Sequence, residues 1–444
     1  MLRLLAIVTV LLLGMTACSD GTDGEDADDT AEGTTATDDA DADADAEADP
    51  DVDADAEDAA TEDDGTDGGD ASGEPITIGV LTSFTGPFTP WGLQTRAGMQ
   101  LAVDEINADG GVDGRMIELV EADDQNNPDE GVTALERMVE QEGVVAVGGV
   151  ISSDVALATS RTAEELEVPL FMVKAGAAGV LTTDSRYTFR TCLPAAPMTA
   201  EPLAQYIQSE GLSRIGVIIA DYAWGQSVRE SIEEVIGGLE GVEVQVEVAP
   251  VPETDFTTYL RALEGFEPDL IAATGHPPGA GPITLQAADL GFDVPVTGPY
   301  APLATVFEAV GDVAYDSYAD YGCADYSSDD YQALARRFAE SSEFGFMEDD
   351  AVAGYGIVTM VAEAVAEVGD DPVAVAEYLH GNEFDLPGYS HTMAWTEFGE
   401  LSQSRPALVI IREMSPPEGI NEGAPWYPEV VFIPEPLEPY VPEG

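Results

Sequence analysis

Residues 76–115, ITIGVLTSFTGPFTPWGLQTRAGMQLAVDEINADGGVDGR, constrain the fold more than any other stretch. A short apolar run (Ile76 to Leu81) breaks into a Gly/Pro/Ser/Thr loop (Thr82 to Gly92). A helix follows, with Ala97, Leu101, Val103 and Ile106 recurring near a 3.6-residue period, and Asp109-Gly110-Gly111 ends it. Strand, loop, helix and glycine stop make the first half of a βαβ unit. In such units small ligands bind at the strand's carboxyl end, where the loop and helix N-terminus offer unpaired N–H groups. The loop holds neither GxGxxG nor GxxxxGK[ST], so nucleotide phosphate is not the obvious guest. The first expectation is binding without chemistry.

Strand and helix signals keep alternating. Met116–Glu121, Val144–Val150 and Pro169–Val173 read as strands, separated by helices Pro128–Gln141 and Asp154–Leu166. A second series starts with a helix from Thr199 to Ser209. It continues through strands Arg214–Ala220, Val242–Val248, Leu270–Thr274 and Val294–Thr297, with helices Gly225–Leu239, Phe256–Leu263 and Pro282–Leu290 between them. Helices Asp330–Ser341, Ala351–Val368 and Pro372–Leu379 follow, then a strand Ala407–Arg412 and a proline-rich tail. Two successive series imply an α/β fold of two parallel, doubly wound sheets. About 370 residues exceed what one hydrophobic core usually supports, so two lobes are expected.

The N-terminal region is of another kind. Arg3, an apolar stretch from Leu4 to Leu13 and small residues before Cys18 describe an export signal, too short to span a bilayer of ~30 Å. No other segment reads as long and apolar enough to cross a membrane. Of the chain's 87 acidic residues, 25 lie between Ser19 and Glu74, with no Lys, Arg or aromatic. Such a block cannot offset its ordering entropy and reads as a disordered, self-repelling tether without a specific partner.

From Pro75 onward 62 acidic residues face 14 basic ones, and Lys174 is the sole lysine. This excess suggests an ion-rich setting, where salt screens self-repulsion. It excludes nucleic acid as a partner, because no basic face can neutralise phosphates. Beyond Cys18 only Cys192 and Cys323 remain. Two cysteines far apart in an exported chain most simply form one disulfide, and they cannot build a CxxC zinc site. His276, His380 and His391 lack HExxH spacing, and no GxSxG is present, so no catalytic residue, metal ligand or cofactor is assigned.

In order and spacing, Ile76–Gly114, Asp123-Asp124, Ser152-Ser153, Phe189-Arg190-Thr191 and Tyr222-Ala223-Trp224-Gly225 resemble the substrate-binding proteins of branched-chain amino-acid ABC transporters. The likeness runs from about Ile76 to Met414. It implies the type I periplasmic-binding fold: two Rossmann-like lobes joined by three hinge crossovers, near Arg190–Leu193, Tyr321–Ala324 and Leu386–Trp395. The implied division is a signal peptide (1–18), a tether (19–74), an N-terminal lobe (75–191 with 324–388) and a C-terminal lobe (192–323 with 389–444). Cys192 and Cys323 then both fall at hinges. Met15-Thr16-Ala17-Cys18 resembles a bacterial lipobox, which would lipidate Cys18 and anchor the protein outside the cytoplasmic membrane; an ordinary cleaved signal is the alternative. The implied partners are a small-molecule ligand, ABC permease subunits and the membrane through the lipid anchor.

The resemblance also nominates ligand contacts. Ser152 and Ser153 suit a carboxylate at a helix N-terminus, with plain N-capping as the alternative. The Lys174–Ala177 loop places Ala175 and Ala177 against the ligand, Ala177 standing where the family has a Thr. Lys174 supplies a cation for an anionic ligand, or is solvated or paired with an acid. Trp91 and Trp224 cover apolar ligand surface, or pack in a core. His276 and Tyr300 end strands of the second series. Tyr300 stands where amino-acid binders carry the acid for the ligand ammonium, which favours an organic acid, amide or similar small polar ligand over the usual amino acids. Closure of the two lobes would make the chain a transport receptor; a sensory receptor working through a signalling partner is the alternative.

Overall fold

The computed structural model describes residues 73–273, 279–299 and 301–442. The expected signal, Cys18 and nearly all of the expected tether lie outside the described residues. The first series runs β1 (Ile76–Thr82), α1 (Thr89–Ala108), β2 (Ile117–Asp123), α2 (Pro128–Glu140), β3 (Ala146–Val150), α3 (Ser153–Leu166), β4 (Leu170–Met172) and β5 (Thr188–Arg190). Its strands form a parallel sheet in the order β2-β1-β3-β4-β5. The central strands are apolar and buried almost throughout, as expected for a sheet covered by helices on both faces.

The second series comprises α4 (Ala196–Glu210), β6 (Arg214–Ala220), α5 (Ala223–Ser231), β7 (Glu243–Ala249), α6 (Thr257–Glu264), β8 (Leu270–Ala273), α7 (Ala280–Asp289), β9 (Val296–Pro299), α8 (Leu303–Val310) and β10 (Tyr318–Gly322). A π-helical turn, Ile232–Ile236, extends α5 where one continuous helix is expected. The chain then returns to the first sheet through α9 (Asp329–Ser341), α10 (Asp349–Val368) and α11 (Pro372–Gly381). It ends with β11 (Ala407–Glu413) and β12 (Trp426–Phe432).

The second sheet has the order β12-β11-β10-β9-β8-β6-β7. It is mixed rather than parallel, because β11 runs antiparallel to both β10 and β12. Three of its features escape the sequence pattern. β12 lies in the expected proline-rich tail and contains Pro428. An outermost strand tolerates proline, since the missing N–H belongs to a sheet edge. β10 (YADYG) carries almost no apolar alternation, and α8 is short.

Two glycines let α1 and α10 cross backbone to backbone. A Cβ on Gly98 would lie 2.0 Å from the Ala351 carbonyl oxygen, and one on Gly354 would lie 2.1 Å from that of Thr95. Any side chain at either position would force the helices apart. Among the described residues α10 is the one helix long and apolar enough to cross a membrane, contrary to the sequence expectation. It packs as a core helix instead: Ala351, Val352, Ala353, Ile357, Val358 and Val361 are fully buried. The same crossing carries the start of α10, with its acids, to the boundary between the lobes.

Candidate functional site

The carboxyl end of the first sheet builds one wall of a cleft. Carboxylates at and just past the end of β2 brace the β1–α1 loop: Ser83 Oγ donates to Asp124 Oδ1 (2.6 Å), and Phe84 N and Thr85 Oγ1 donate to Asp123. That brace positions Phe88 and Trp91, both buried, with ring centres 5.6 Å apart. Phe88 also meets Tyr222 of the second lobe at 5.8 Å.

Ser152 precedes α3 as its N-cap residue, yet its side chain makes no capping bond. Its Oγ is buried and has no hydrogen-bond partner among the described residues. Ser153 Oγ accepts the Ala177 N–H at 3.2 Å. The carbonyls of Ala175 and Ala177 accept from the Arg190 guanidinium, itself held by Glu400 at 3.0 Å, with both charges buried. The β4 loop is thus fixed from two sides. Trp224, the second residue of α5, covers it: a Cβ on Gly176 would lie 2.3 Å from the indole Cζ3.

Asp154, Ser227 and Glu348 each accept backbone N–H groups from the opposite lobe. Asp154 Oδ1, in the first turn of α3, accepts the N–H of Ala223, the first residue of α5 (3.2 Å). Ser227 Oγ of α5 accepts the Ala178 N–H of the β4 loop (3.2 Å). Glu348, just before α10, accepts the N–H groups of Leu303 (3.2 Å) and Ala304 (2.8 Å) at the start of α8. Two helix N-termini of the second lobe are therefore each met by a carboxylate of the first, the charge their dipoles favour. The N-terminus of α3 receives no side-chain cap among the described residues. In the described conformation the two lobes are hydrogen-bonded to each other at these three points.

The connections between the sheets converge beside this wall. Cys192, after β5, and Cys323, after β10, form a disulfide. The backbone bridge Ala324–Tyr389 adds the third connection. Lys174 lies against this hub. Its Nζ sits 2.8 Å from both carboxylate oxygens of Asp349, 3.6 Å from Asp350 and 3.9 Å from Cys192 Sγ. Burial works against the ammonium, but Asp349 and Asp350 outweigh it and hold its pKa above the ordinary lysine value. Asp320 of β10 and Glu348 complete the cluster. Burial, reinforced by the Asp349 charge, pushes both carboxyls up, Glu348 to about 8. Cys192, Cys323 and Asp349 are close enough for metal ligation, but the two sulfurs are bonded to each other, so no thiolate is available.

Ser152, Ser153, Ala175, Ala177 and Trp224 therefore gather around one loop, and Trp91 joins them through Phe88 and Tyr222. Lys174 has the paired alternative of its two readings. His276 and Tyr300 lie outside the described residues. Sequence reasoning missed Asp154, Phe88 and the Glu348-Asp349-Asp350 run. The run's one visible signal was three acids opening a long apolar helix, which reads as favourable placement at a helix N-terminus.

Two α/β lobes closing on a polar loop and a helix N-terminus define a solute-binding protein rather than an enzyme. The family model described as a periplasmic binding protein matches residues 75–406, and the chain belongs to that family. A Leu/Ile/Val-binding protein homolog 3 of Brucella melitensis is 26% identical over 337 residues, covering 74% of this chain and 89% of the relative. The leucine-binding protein LivK of Thermotoga maritima superposes with a TM-score of 0.69 at 20% identity, covering 81% of this chain and 99% of that one. A solute-binding protein of R. palustris in complex with benzoate gives 0.70 at 18% identity, covering 82% and 98%. Members of this family are extracytoplasmic components of ABC transport and carry out no chemical step.

Proposed function

We propose that this chain captures a small carboxylate-bearing solute between its lobes and presents the closed form to an ABC importer. The observation that carries the reading is Ser152. Among the described residues its hydroxyl is buried and without a partner at an uncapped helix N-terminus, while the α5 and α8 N-termini already hold Asp154 and Glu348. A buried hydroxyl without a partner costs ~1–3 kcal/mol, which a ligand oxygen would offset. The α3 dipole favours an anion there.

Relatives and neighbours support the class. Proteins named for leucine, isoleucine and valine, and one holding benzoate, share a carboxylate on an apolar body. Phe88, Trp91, Tyr222 and Trp224 supply rigid apolar cover for such a body. Ser153, Ala175 and Ala177 act through the loop that Arg190 fixes, and His276 and Tyr300 are the further ligand contacts that the resemblance implies. Lys174 serves as the hinge ion pair instead of a ligand cation, since its charge is matched by Asp349. Lipidation at Cys18 and the acidic tether would hold the receptor outside the membrane, within reach of the permease.

Calorimetry with leucine, isoleucine, benzoate and 4-hydroxybenzoate tests the reading. At least one is expected to bind, and Ser152→Ala should weaken it about tenfold, or ~1.4 kcal/mol. Undiminished affinity in the variant would remove Ser152 from the site.

A further inference from the structure

The loop of Ala175, Gly176 and Ala177 has every one of its carbonyls engaged. Ala175 O and Ala177 O accept from the two Nη groups of Arg190, the second at 2.9 Å. Gly176 O accepts the N–H of Ala196, the first residue of α4, at 2.8 Å. The guanidinium is itself seated: its Nε donates to Glu400 Oε2 at 3.0 Å, and Glu400 Oε1 accepts the Leu401 N–H at 3.1 Å. Both side chains are at most 2% exposed, so neither charge has water as a substitute partner. A planar fork suits this task, because two Nη groups reach two carbonyls while Nε keeps a carboxylate; an ammonium has no such spread. Glu400 lies between α11 and β11 and is held against β5. Arg190 N donates to Gly399 O at 3.1 Å, and a Cβ on Gly399 would lie 1.8 Å from Thr188 O.

Those carbonyls decide where the loop's donors point. In a trans peptide the C=O of one residue and the N–H of the next lie antiparallel. Drawing Ala175 O and Ala177 O toward Arg190 therefore sends the Gly176 and Ala178 N–H groups the other way. The Ala178 N–H reaches Ser227 Oγ of the opposite lobe at 3.2 Å. The Gly176 N–H, on a buried residue, has no acceptor among the described residues. Buried backbone donors are rarely left so. This one is adjacent in the chain to Ala177, whose N–H is held by Ser153 at the α3 N-terminus.

We propose that Arg190, seated by Glu400, is a positioning residue for ligand capture: without touching the ligand it aims the Gly176 N–H at the ligand carboxylate and the Ala178 N–H at the opposite lobe. The ligand half rests on the site proposed above; the grip on the loop does not. One buried guanidinium then serves both halves of the event, since the same loop offers a donor beside the Ser152 hydroxyl and a donor to Ser227.

Amide hydrogen exchange of the full chain, read residue by residue by NMR, tests this in the parent and in Arg190→Lys. The lysine keeps a cation for Glu400 but cannot hold two carbonyls. In the ligand-free parent the Ala178 amide should be protected and the Gly176 amide should not. Whichever of leucine, isoleucine, benzoate and 4-hydroxybenzoate binds should then protect Gly176. In Arg190→Lys the Ala178 amide should exchange about tenfold faster while the amides of β1 and β3 keep their rates. Affinity for the same carboxylate should fall about tenfold. A folded variant whose loop exchange and affinity match the parent overturns the proposal, as does a bound carboxylate that leaves Gly176 unprotected in the parent. A folded variant that loosens β1 and β3 as much as the loop shows a merely structural role and overturns it too. If Arg190→Lys does not fold, Glu400→Gln carries the same expectations and the same refutations, because its amide group cannot accept both the Arg190 and the Leu401 N–H. A panel without a binder removes the ligand site and the Gly176 half with it, while the ligand-free rates still judge the grip of Arg190 on the loop.

Discussion

Asp154 and Ala223 stand at the first turns of two helices from opposite lobes, and the carboxylate of one accepts the backbone N–H of the other at 3.2 Å. The first lobe thus completes a helix terminus of the second. Closure satisfies backbone donors that opening returns to water.

Replacing Asp154 with Ala should shift the balance toward the open form and weaken ligand binding by a few-fold, without lowering the melting temperature by more than a few degrees. A hydrogen bond to a charged group contributes ~1.5–3 kcal/mol when buried and less where water competes. Calorimetry and scattering on the same sample check both halves of the expectation.

Lys174→Met should damage the fold rather than only the ligand site. Removing one partner of a buried ion pair costs ~3–5 kcal/mol, because the remaining charge is stranded. Here Asp349 would be left beside Asp350, Asp320 and Glu348. Denaturant unfolding should show the loss, and pairing Lys174→Met with Asp349→Asn should recover much of it. A ligand-contact role alone would leave unfolding unchanged.

Reduction of Cys192–Cys323 should lower stability substantially. The bond closes a loop with a sequence separation of 131, worth about 5 kcal/mol in the chain-entropy picture. Melting curves with and without a reductant test this; coincident curves would show that the bond is not formed in solution.

The melting temperature of the folded domain should rise with salt. From Pro75 on, acids outnumber bases by 62 to 14, so self-repulsion is large and screenable. A melting temperature indifferent to salt would contradict the ion-rich reading.

The βα series was legible because parallel strands are short apolar runs and their helices keep a 3.6-residue period. The Ser152-Ser153 turn was legible for the same reason, standing between a buried strand and a helix. β12 was not, because Pro428 is a breaker everywhere except at an edge. Nor was the hinge cluster. Lys174 and Asp349 are 175 residues apart, and only the tight α1–α10 crossing brings them together. Sequence could supply a lone lysine and two readings of it, but not the acid that decides between them.

The central claim is that the uncapped N-terminus of α3 receives a ligand carboxylate. Thermal-shift measurements on matched pairs test it most directly: leucine against leucinamide, benzoate against benzamide, 4-hydroxybenzoate against its amide. The account predicts that at least one acid raises the melting temperature and that its amide fails to do so. An amide that stabilises as well as its acid, or a panel in which no carboxylate stabilises, would contradict it.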